Sequence, residues 1–359
     1  MKSKKIMMRL LEIKNKLKII KNNTTPAIVT LGAFDGMHLG HQAVLDQLSQ
    51  CDHSDFNFNF NFNFNFNFEF NFKKTVILFD PLPKEFFSHT PLLRISNLRD
   101  QIVYLKQKGV DQLLLIKFNQ KFSELSAEEF IQEILIKKLN AKYLFVGDDF
   151  RFGFNRTGDF NLLVQQKSFK TFATTSFLLN QKRVASSWVR SALCEGDFKQ
   201  IEKLLGRPYS LIGKIQRGDQ LGRTLGFPTL NIYLKKNMAV QGVYIVHIKF
   251  LDPKKISPIF QGVANIGVRP TVNFGLKRLL EVHVLNIDPA TPSISSTPLE
   301  SSVPLEFLET PCEGKYIEVI FIKKLREEKK FASLDLLKQQ IAQDVQSAKD
   351  FFRARVPDS

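Results

Sequence analysis

The chain has 359 residues, a length that suggests two domains rather than one. Its three cysteines are an odd number without a CxxC pair, so neither a disulfide framework nor a zinc site is expected. No apolar run approaches the roughly 20 residues of a membrane-spanning helix. The net charge is +16, and residues 1–22 hold eight Lys or Arg against one Glu. We expect a cytoplasmic protein without a membrane partner, whose basic start is a solvated helix rather than a membrane-touching one.

Residues 28–175 alternate short apolar runs with amphipathic stretches, which is typical of βαβ units and a parallel sheet. The strand candidates are 28–32, 75–79, 113–117, 143–147 and 171–175, and the helix candidates are 40–50, 97–108 and 126–139. Ser126 is a plausible cap for the third helix because Glu128 and Glu129 follow it. Ligands of such sheets bind beyond the carboxyl ends of the strands. The segments 32–41 and 147–153 both lie there.

Past residue 206 the pattern changes, because strand candidates follow one another without intervening helices. They are 210–216, 242–250, 259–267, 279–287 and 316–325. Such a series predicts a compact antiparallel barrel. An amphipathic pattern at 333–355 predicts a closing helix. Residues 186–205 have the pattern of a helical connector, so the expected domains are 1–185 and 206–359.

Two segments interrupt these patterns. Residues 56–72 alternate Phe with Asn, broken once by Glu69, so nine phenylalanines share one face of an extended chain. The composition resembles a low-complexity insertion, and we assign it no catalytic role; a peripheral hairpin or partner-binding strand is the functional alternative. Residues 289–311 hold five prolines and many Ser and Thr, which predicts a surface loop inserted between barrel strands.

The most informative motif is Gly32-Ala-Phe-Asp-Gly-Met-His-Leu-Gly-His41, between an apolar run and a helical pattern. As strand, turn and helix, it places His38 and His41 at a helix N-terminus. Unpaired backbone N–H groups and the helix dipole favour phosphate there. Two histidines three residues apart in the first turn can face the same anion. The motif therefore predicts a nucleotide site, against the alternative of a buried imidazole that only braces the turn.

Three further clusters follow predicted strands of the first domain: 79–86, 146–153 and 185–190. The second contains Asp149, and the third combines Ser186, Ser187 and Arg190, whose hydroxyls and guanidinium suit a phosphate. Alone, Asp149 is equally explained as a turn brace, and Arg190 as a surface cation of little energetic weight. Together and in this order, the four clusters indicate a nucleotide-binding domain more strongly than any one of them alone.

With these motifs the chain closely resembles the bacterial bifunctional riboflavin kinase/FMN adenylyltransferase family, also called FAD synthetase. Its first domain is a Rossmann-like nucleotidylyltransferase with the HxGH signature. The resemblance continues through Leu205-Gly-Arg-Pro-Tyr209, Gly218-Asp-Gln-Leu-Gly-Arg-Thr-Leu-Gly-Phe-Pro-Thr-Leu-Asn231, 262–270, Leu280-Glu-Val-His283 and 325–331. It implies a Rossmann-like α/β domain followed by a six-stranded antiparallel riboflavin-kinase-like β-barrel with a terminal helix.

In the first domain, the resemblance implies that His38 and His41 hold ATP phosphates while FMN phosphate attacks the α-phosphorus. In-line transfer of this kind needs positioning and cationic donors rather than a protein nucleophile. The implied ATP and FMN site comprises Gly32, Phe34, Asp35, Gly36, Gly40, Asp149, Ser186, Ser187 and Arg190.

In the second domain, Thr229 and Asn231 match the PTxN motif that holds Mg²⁺ and ATP in the family, and their oxygens are hard ligands suited to that ion. Glu281 matches the glutamate expected to act as base toward the riboflavin 5′-hydroxyl. On a strand the Glu281 side chain points either into or out of the barrel. The alternative to a catalytic role is that Glu281 is only the solvent-facing member of an alternating strand. The implied ATP and flavin site also includes Gly222, Arg223, Gly226, Pro228 and Arg326.

The resemblance implies riboflavin, FMN and ATP as small-molecule ligands, Mg²⁺ as cofactor, FMN and FAD as products, no nucleic-acid partner, and a monomer or weak homo-oligomer. One departure matters: the family has Pro-His-Pro where this chain has Pro81-Leu82-Pro83. Leu82 leaves open a second interpretation, a riboflavin kinase whose adenylyltransferase is impaired. A third, a basic nucleic-acid-binding or flavin-sensing protein, predicts salt-dependent polynucleotide binding without turnover.

Overall fold

The computed structural model describes residues 18–19, 25–50, 72–88, 90, 92–218, 225–235, 237–251, 257–271, 275–285 and 313–354. The predicted loop 289–311 and the Phe/Asn tract, except Phe72, lie outside the described residues. The chain forms two compact units. The first contains the described residues up to Leu92 together with Gln101–Ser186, and the second contains Leu93–Asp100 and the described residues from Ser187 onward.

The first unit is built on a six-stranded sheet in which every neighbouring pair is parallel. Its strands are β1 (Lys18–Ile19), β2 (Ala27–Leu31), β3 (Lys73–Phe79), β4 (Gln112–Ile116), β5 (Ala141–Val146) and β6 (Lys170–Ala173). They lie in the order β1-β4-β3-β2-β5-β6. The predicted parallel sheet is confirmed, and β2 to β6 match the five predicted strands. The two-residue β1 has no counterpart in the prediction.

Helices and short turns connect these strands. They are α1 (Leu39–Gln50), α2 (Pro83–Phe87), α3 (Leu98–Gln107), α4 (Gln120–Ser123), α5 (Ala127–Glu129), a π-helix (Phe130–Lys138), a 3₁₀ turn (Phe154–Arg156) and α6 (Phe160–Val164). Ser126 caps α5 as predicted, because its hydroxyl accepts the Glu129 N–H while the Glu129 carboxylate accepts the Ser126 N–H. A short hairpin of β7 (Leu178–Leu179) and β8 (Lys182–Arg183) ends the unit.

The strand order indicates where a ligand of the first unit is expected to bind. β2 pairs with β3 on one side and with β5 on the other, so the direction of the winding reverses between β2 and β5. In open parallel sheets the crevice beyond the carboxyl ends of two such strands is the ligand site. Segment 32–41 follows β2 and segment 147–153 follows β5, which brings the two predicted clusters to this crevice.

The second unit contains a six-stranded antiparallel sheet that curls into a nearly closed barrel. Its strands are β9 (Ser210–Lys214), β10 (Leu230–Leu234), β11 (Gly242–Leu251), β12 (Ile259–Thr271), β13 (Gly275–Val284) and β14 (Tyr316–Arg326), in the order β10-β13-β12-β11-β14-β9. The Gln216 N–H donates to the Asn231 carbonyl at 2.9 Å and joins the two ends of the sheet. The predicted barrel is confirmed.

Three helices accompany the barrel: α7 (Ser186–Glu195), α8 (Phe198–Leu205) and the terminal α9 (Leu334–Arg353). Helix α9 packs Ala348 and Phe352 against Val243, Ile245 and Val263 on the outer face of β11 and β12. The Arg326 guanidinium at the end of β14 also contacts α9, donating from Nε and Nη2 to the Asp344 carboxylate at 2.7–3.1 Å.

A short segment of the chain that ends in the first turn of α3 belongs to the second unit. Leu93–Asp100 joins it through paired backbone groups: the Arg94 N–H donates to the Asn237 carbonyl, and the Ala239 N–H donates to the Arg94 carbonyl. Further along, the Tyr209 hydroxyl donates to the Ile95 carbonyl at 2.7 Å. The segment therefore completes the barrel unit although more than a hundred residues separate it from β9.

Candidate active sites

The turn at residues 32–41, here called the histidine turn, holds a tightly constrained backbone. Phe34 and Met37 have φ values of 45° and 48°, in the left-handed region that such side chains avoid. Two amides stabilise the turn: Gln101 Nε2 donates to the Ala33 and Phe34 carbonyls, and Gln42 Nε2 donates to that of Met37. Phe34 and Asp35 of the turn are buried. This support fixes where α1 begins.

His38, directly before α1, stacks on His41 in the first turn of α1, with ring centroids 3.7 Å apart and planes inclined by 18°. The His41 N–H donates to His38 Nδ1 at 3.3 Å, so Nδ1 of the neutral ring is an acceptor and the proton lies on Nε2. His38 therefore presents an N–H donor at a helix N-terminus, where a phosphate is favoured. Gly40 allows this packing, because a Cβ there would lie 3.1 Å from the His38 ring and 3.1 Å from the Val184 carbonyl oxygen.

Both imidazoles line a cavity of about 340 Å³ at the predicted end of the sheet. Of the residues predicted for this site, the lining contains His38, Gly40, His41, Asp149 and Ser186. The Ser186 hydroxyl donates to the Asp35 carbonyl at 3.0 Å, which ties the last residue of the first unit to the histidine turn. Gly32, Phe34, Asp35 and Gly36 are absent from the lining and form the support beneath it.

Several lining residues were not singled out from the sequence: Val44, Thr174, Thr175, Ser176, Phe177, Arg183 and Val184. Arg183 Nη1 lies 3.3 Å from the Asp149 carboxylate, and both side chains are exposed. The sequence offered one indication for Arg183: it is a cation three residues before Ser186, where α7 begins. The 174–177 stretch had no comparable signal because it reaches the cavity only through the pairing of β6 with β5.

Ser187 and Arg190, the remaining residues predicted for this site, belong to the second unit. Arg190 Nε donates to the Leu93 carbonyl at 2.6 Å. Leu82, at the position of the family histidine, has a buried side chain directly before α2, and its N–H donates to the Glu85 carboxylate at 2.9 Å. A phosphate-binding role for Ser187 and Arg190 stays a prediction.

The second candidate site lies on the outer face of the barrel. Glu281 of β13 is the direct cross-strand partner of Asn231 on β10 and of Asn265 on β12; we call these three residues the outer row. Directly opposed residues of antiparallel strands share a face. Asn265 is in turn opposite Val243, whose side chain packs beneath α9, so the outer row faces the α9 side of the barrel. The structure thus selects the outward of the two orientations left open for Glu281.

The oxygens of this site suit a hard cation. Asn231 is buried and its Nδ2 donates to the Thr229 carbonyl at 3.3 Å, which turns the amide oxygen away from that carbonyl. The Thr229 hydroxyl and the Asn231 amide oxygen are hard ligands that would suit Mg²⁺. Among the described residues, no group of three or more His, Cys, Asp or Glu side chains is arranged to hold a metal.

The other residues predicted for the kinase site have different surroundings. Arg326 contacts the Asp344 carboxylate, and Gln340 Nε2 donates to the same group. Pro228 accepts a hydrogen bond from His283, and Gly226 lies two residues before it. Gly222 and Arg223 lie outside the described residues. Asn265 and His283 were quoted only as parts of motifs, and their positions beside Glu281 and Pro228 follow from strand register.

Two family models match the chain, one in each half. The FAD synthetase family model matches residues 20–188, and the riboflavin kinase family model matches residues 205–352. These matches define the class: a two-domain protein in which an FAD synthetase domain precedes a riboflavin kinase domain.

Whole-chain relatives agree with this division. Bifunctional riboflavin kinase/FMN adenylyltransferases are similar over most of their lengths: that of Escherichia coli K12 is 37% identical (92% of this chain, 94% of the relative). That of Haemophilus influenzae Rd is 39% identical (91% and 94%), and that of Buchnera aphidicola from Schizaphis graminum is 37% identical (96% and 99%). The chain belongs to the bifunctional riboflavin kinase/FMN adenylyltransferase family.

A solved structure shares the fold. The crystal structure described as a macrolide-efflux protein from Streptococcus pneumoniae aligns with a TM-score of 0.65 and 25% identity, over 93% of this chain and 99% of that one. No helix within the described ranges is both long and apolar enough to cross a membrane.

Proposed function

We propose that the chain makes FAD from riboflavin in two steps. The second domain transfers the γ-phosphoryl group of ATP to the riboflavin 5′-hydroxyl and gives FMN and ADP. The first domain transfers the adenylyl group of a second ATP to FMN and gives FAD and pyrophosphate. The observation that carries the proposal is that each matched domain holds its own set of motif residues in one place: the two histidines of the histidine turn in the cavity, and the outer row on the barrel.

In the adenylyltransferase site, an oxygen of the FMN phosphate forms a bond to the α-phosphorus of ATP as the bond to pyrophosphate breaks. No protein nucleophile is required, so catalysis depends on positioning and on stabilising charge on the phosphate oxygens. His38 supplies an Nε2–H donor, His41 stacks on it, and the N-terminus of α1 adds backbone donors. Arg183 adds a cation at the rim of the same cavity.

In the kinase site, Glu281 accepts the proton of the riboflavin 5′-hydroxyl while that oxygen attacks the γ-phosphorus and ADP leaves. Its fixed register opposite Asn231 sets the distance between the base and the residues that bind ATP. Thr229 and Asn231 would hold Mg²⁺, which when bound neutralises charge on the phosphates. Gly222, Arg223, Gly226, Pro228 and Arg326 remain proposed ATP or flavin contacts.

Flavin analysis tests both steps at once. Purified protein is incubated with riboflavin, ATP and Mg²⁺, and the flavins are separated by chromatography. We expect FMN followed by FAD. FMN without FAD would support the alternative of a kinase with an impaired adenylyltransferase, which Leu82 motivates. The absence of both products would contradict the proposal that the chain is an enzyme of FAD synthesis.

A double variant then tests whether adenylyl transfer belongs to the first domain. Changing His38→Ala together with His41→Ala removes both imidazoles from the cavity, so FAD formation from supplied FMN should be lost. FMN formation should continue, because the outer row is unchanged. Loss of both activities would contradict the assignment.

We also infer a cytoplasmic enzyme of small molecules, without a nucleic-acid or membrane partner, that is a monomer or weak homo-oligomer. Light scattering after size exclusion checks the oligomeric state. A polynucleotide titration at low and high salt checks the nucleic-acid alternative, which predicts strong, salt-dependent binding.

A further inference from the structure

His283 has a defined environment that the proposed chemistry does not use. It lies two residues after Glu281 on β13, so both side chains are on the same face of the strand. Its cross-strand partner Val263 packs with Phe352 beneath α9, which makes His283 a half-buried residue at the edge of that packing.

The ring of His283 is bonded to the PTxN motif. Its Nδ1 lies 2.9 Å from the Pro228 carbonyl oxygen, and because a carbonyl only accepts, Nδ1 carries the hydrogen. Phe227 packs its ring edge-on against the imidazole with centroids 5.5 Å apart. Burial lowers the pKa of His283, and the nearby Lys349 ammonium on α9 lowers it further, while the bond to Pro228 opposes both. The imidazole is therefore a neutral donor near pH 7.

The bond continues strand pairing where the backbone cannot. The ladder between β10 and β13 begins at Leu230 and Val282, and His283 is the next residue of β13. Proline has no N–H, so its carbonyl is the one backbone group that Pro228 can offer a partner. A side-chain donor from β13 thus takes the place of a ladder bond immediately before Thr229 and Asn231.

We propose that His283 is a positioning residue of the kinase site, holding Phe227 and Pro228 on β13 so that Thr229 and Asn231 keep their register with Glu281. This inference rests on the proposed kinase function. The role is to place the ATP-binding residues relative to the base.

Three substitutions at one position test the role. His283→Asn puts an amide nitrogen near the position of Nδ1, His283→Gln moves the donor outward, and His283→Phe removes it. Because a neutral hydrogen bond contributes modestly, we expect the KM for MgATP to rise about 3- to 10-fold in the Phe and Gln variants. The KM of the Asn variant for MgATP should stay near the wild-type value. The KM for riboflavin should be unchanged in all three variants.

A matched control separates positioning from packing. His247 on β11 stacks on Phe352 of the same helix α9, with ring centroids 5.4 Å apart, and lies on a different strand from His283. His247→Asn should lower the unfolding midpoint without raising the KM for MgATP. Trp188, the one tryptophan of the chain, lies on α7 of the second unit and reports its unfolding by fluorescence.

The outcomes distinguish failure of the proposed kinase function from failure of the role of His283. Wild-type protein that forms no FMN would reject the proposed kinase function. Wild-type protein that forms FMN, with an unchanged KM for MgATP in the Gln and Phe variants, would overturn the role of His283 alone. If His283→Phe does not fold, the Asn and Gln variants decide: a KM that rises equally in both, or in neither, contradicts the positioning role.

Discussion

At the scale of single residues, Glu281 is expected to serve one reaction and not the other. Its carboxylate lies in the outer row of the barrel, so Glu281→Gln removes the proposed base with little change in shape. FMN formation should fall by about 10²- to 10⁴-fold, the usual contribution of a general base. FAD formation from supplied FMN should be unaffected, as measured by flavin chromatography. Equal loss of both products would show that Glu281 acts through stability.

Gly40 separates helix stability from geometry within the first domain. Gly40→Ala favours the helix by propensity, yet its Cβ would lie 3.1 Å from the His38 ring. Displacement of that ring should lower kcat/KM for adenylyl transfer by about 10- to 100-fold. Gly109→Ala is the contrast, since its Cβ meets open space while its φ of 74° is strained. That variant should lose stability and keep the kinetic constants of the folded enzyme.

At the scale of secondary-structure elements, one ion pair attaches the terminal helix to the barrel. The Arg326 and Asp344 side chains are 19% and 8% exposed, so removing one partner leaves a poorly hydrated charge. Asp344→Asn should lower the free energy of unfolding by about 3 kcal/mol in urea, followed by Trp188 fluorescence. Glu133→Gln, which removes an exposed pair with Lys137, should change it by about 0.5 kcal/mol or less.

The same variant tests the flavin or nucleotide role proposed for Arg326. If Arg326 only attaches α9, Asp344→Asn alters the unfolding midpoint and leaves both KM values unchanged. A rise in the KM for riboflavin or MgATP would instead show that the pair orients Arg326 toward a ligand.

The elements that sequence could predict were those with a local pattern. The alternation of apolar and amphipathic runs located β2 to β6, and the capping residues of α5 were visible in Ser126 and Glu129. Strand β10 was missed because its five residues follow a Gly- and Pro-containing stretch and pair with β13, about fifty residues later in the chain. The motif residues were found, but the outward direction of Glu281 depends on that pairing.

At the scale of the whole molecule, Asp100 links stability to pH. One oxygen of its carboxylate accepts the Asn97 N–H and the other accepts the Ile212 N–H of β9. Burial raises its pKa to about 7, although those two bonds and the charges of Arg207 and Arg99 oppose the rise. The folded state therefore favours the neutral acid, and the stability this provides is lost as pH rises from about 4 to about 7.

Asp100→Asn checks this dependence, because the amide cannot ionise. The free energy of unfolding of the wild type, relative to the variant, should fall between pH 5 and pH 7 and then level off, as measured by urea unfolding. Asp46→Asn, which affects an exposed contact with Lys108, is the control and should show no such trend. A relative stability that rises with pH would contradict the raised pKa.

No sequence pattern indicated that Leu93–Asp100 belongs to the second unit. The segment has the pattern of an ordinary loop that leads into the predicted helix 97–108, and its partners are Ile212, Tyr209, Asn237 and Ala239. Contacts at such separations are set by tertiary structure, which local propensity does not encode. The parallel sheet and the barrel were therefore predictable from local patterns. The division between the units was not, because the second unit takes a segment from within the first half of the chain.

That segment also constrains how the protein is made and how it can evolve. On the ribosome, Asp100 is synthesised 112 residues before Ile212. During synthesis the segment therefore has no partner until β9 has been made. A recombination event that joins the front of one such gene to the back of another would separate the segment from the barrel it fits. Chimeric enzymes should therefore inherit the kinase domain intact only when residues 93–100 are exchanged together with it.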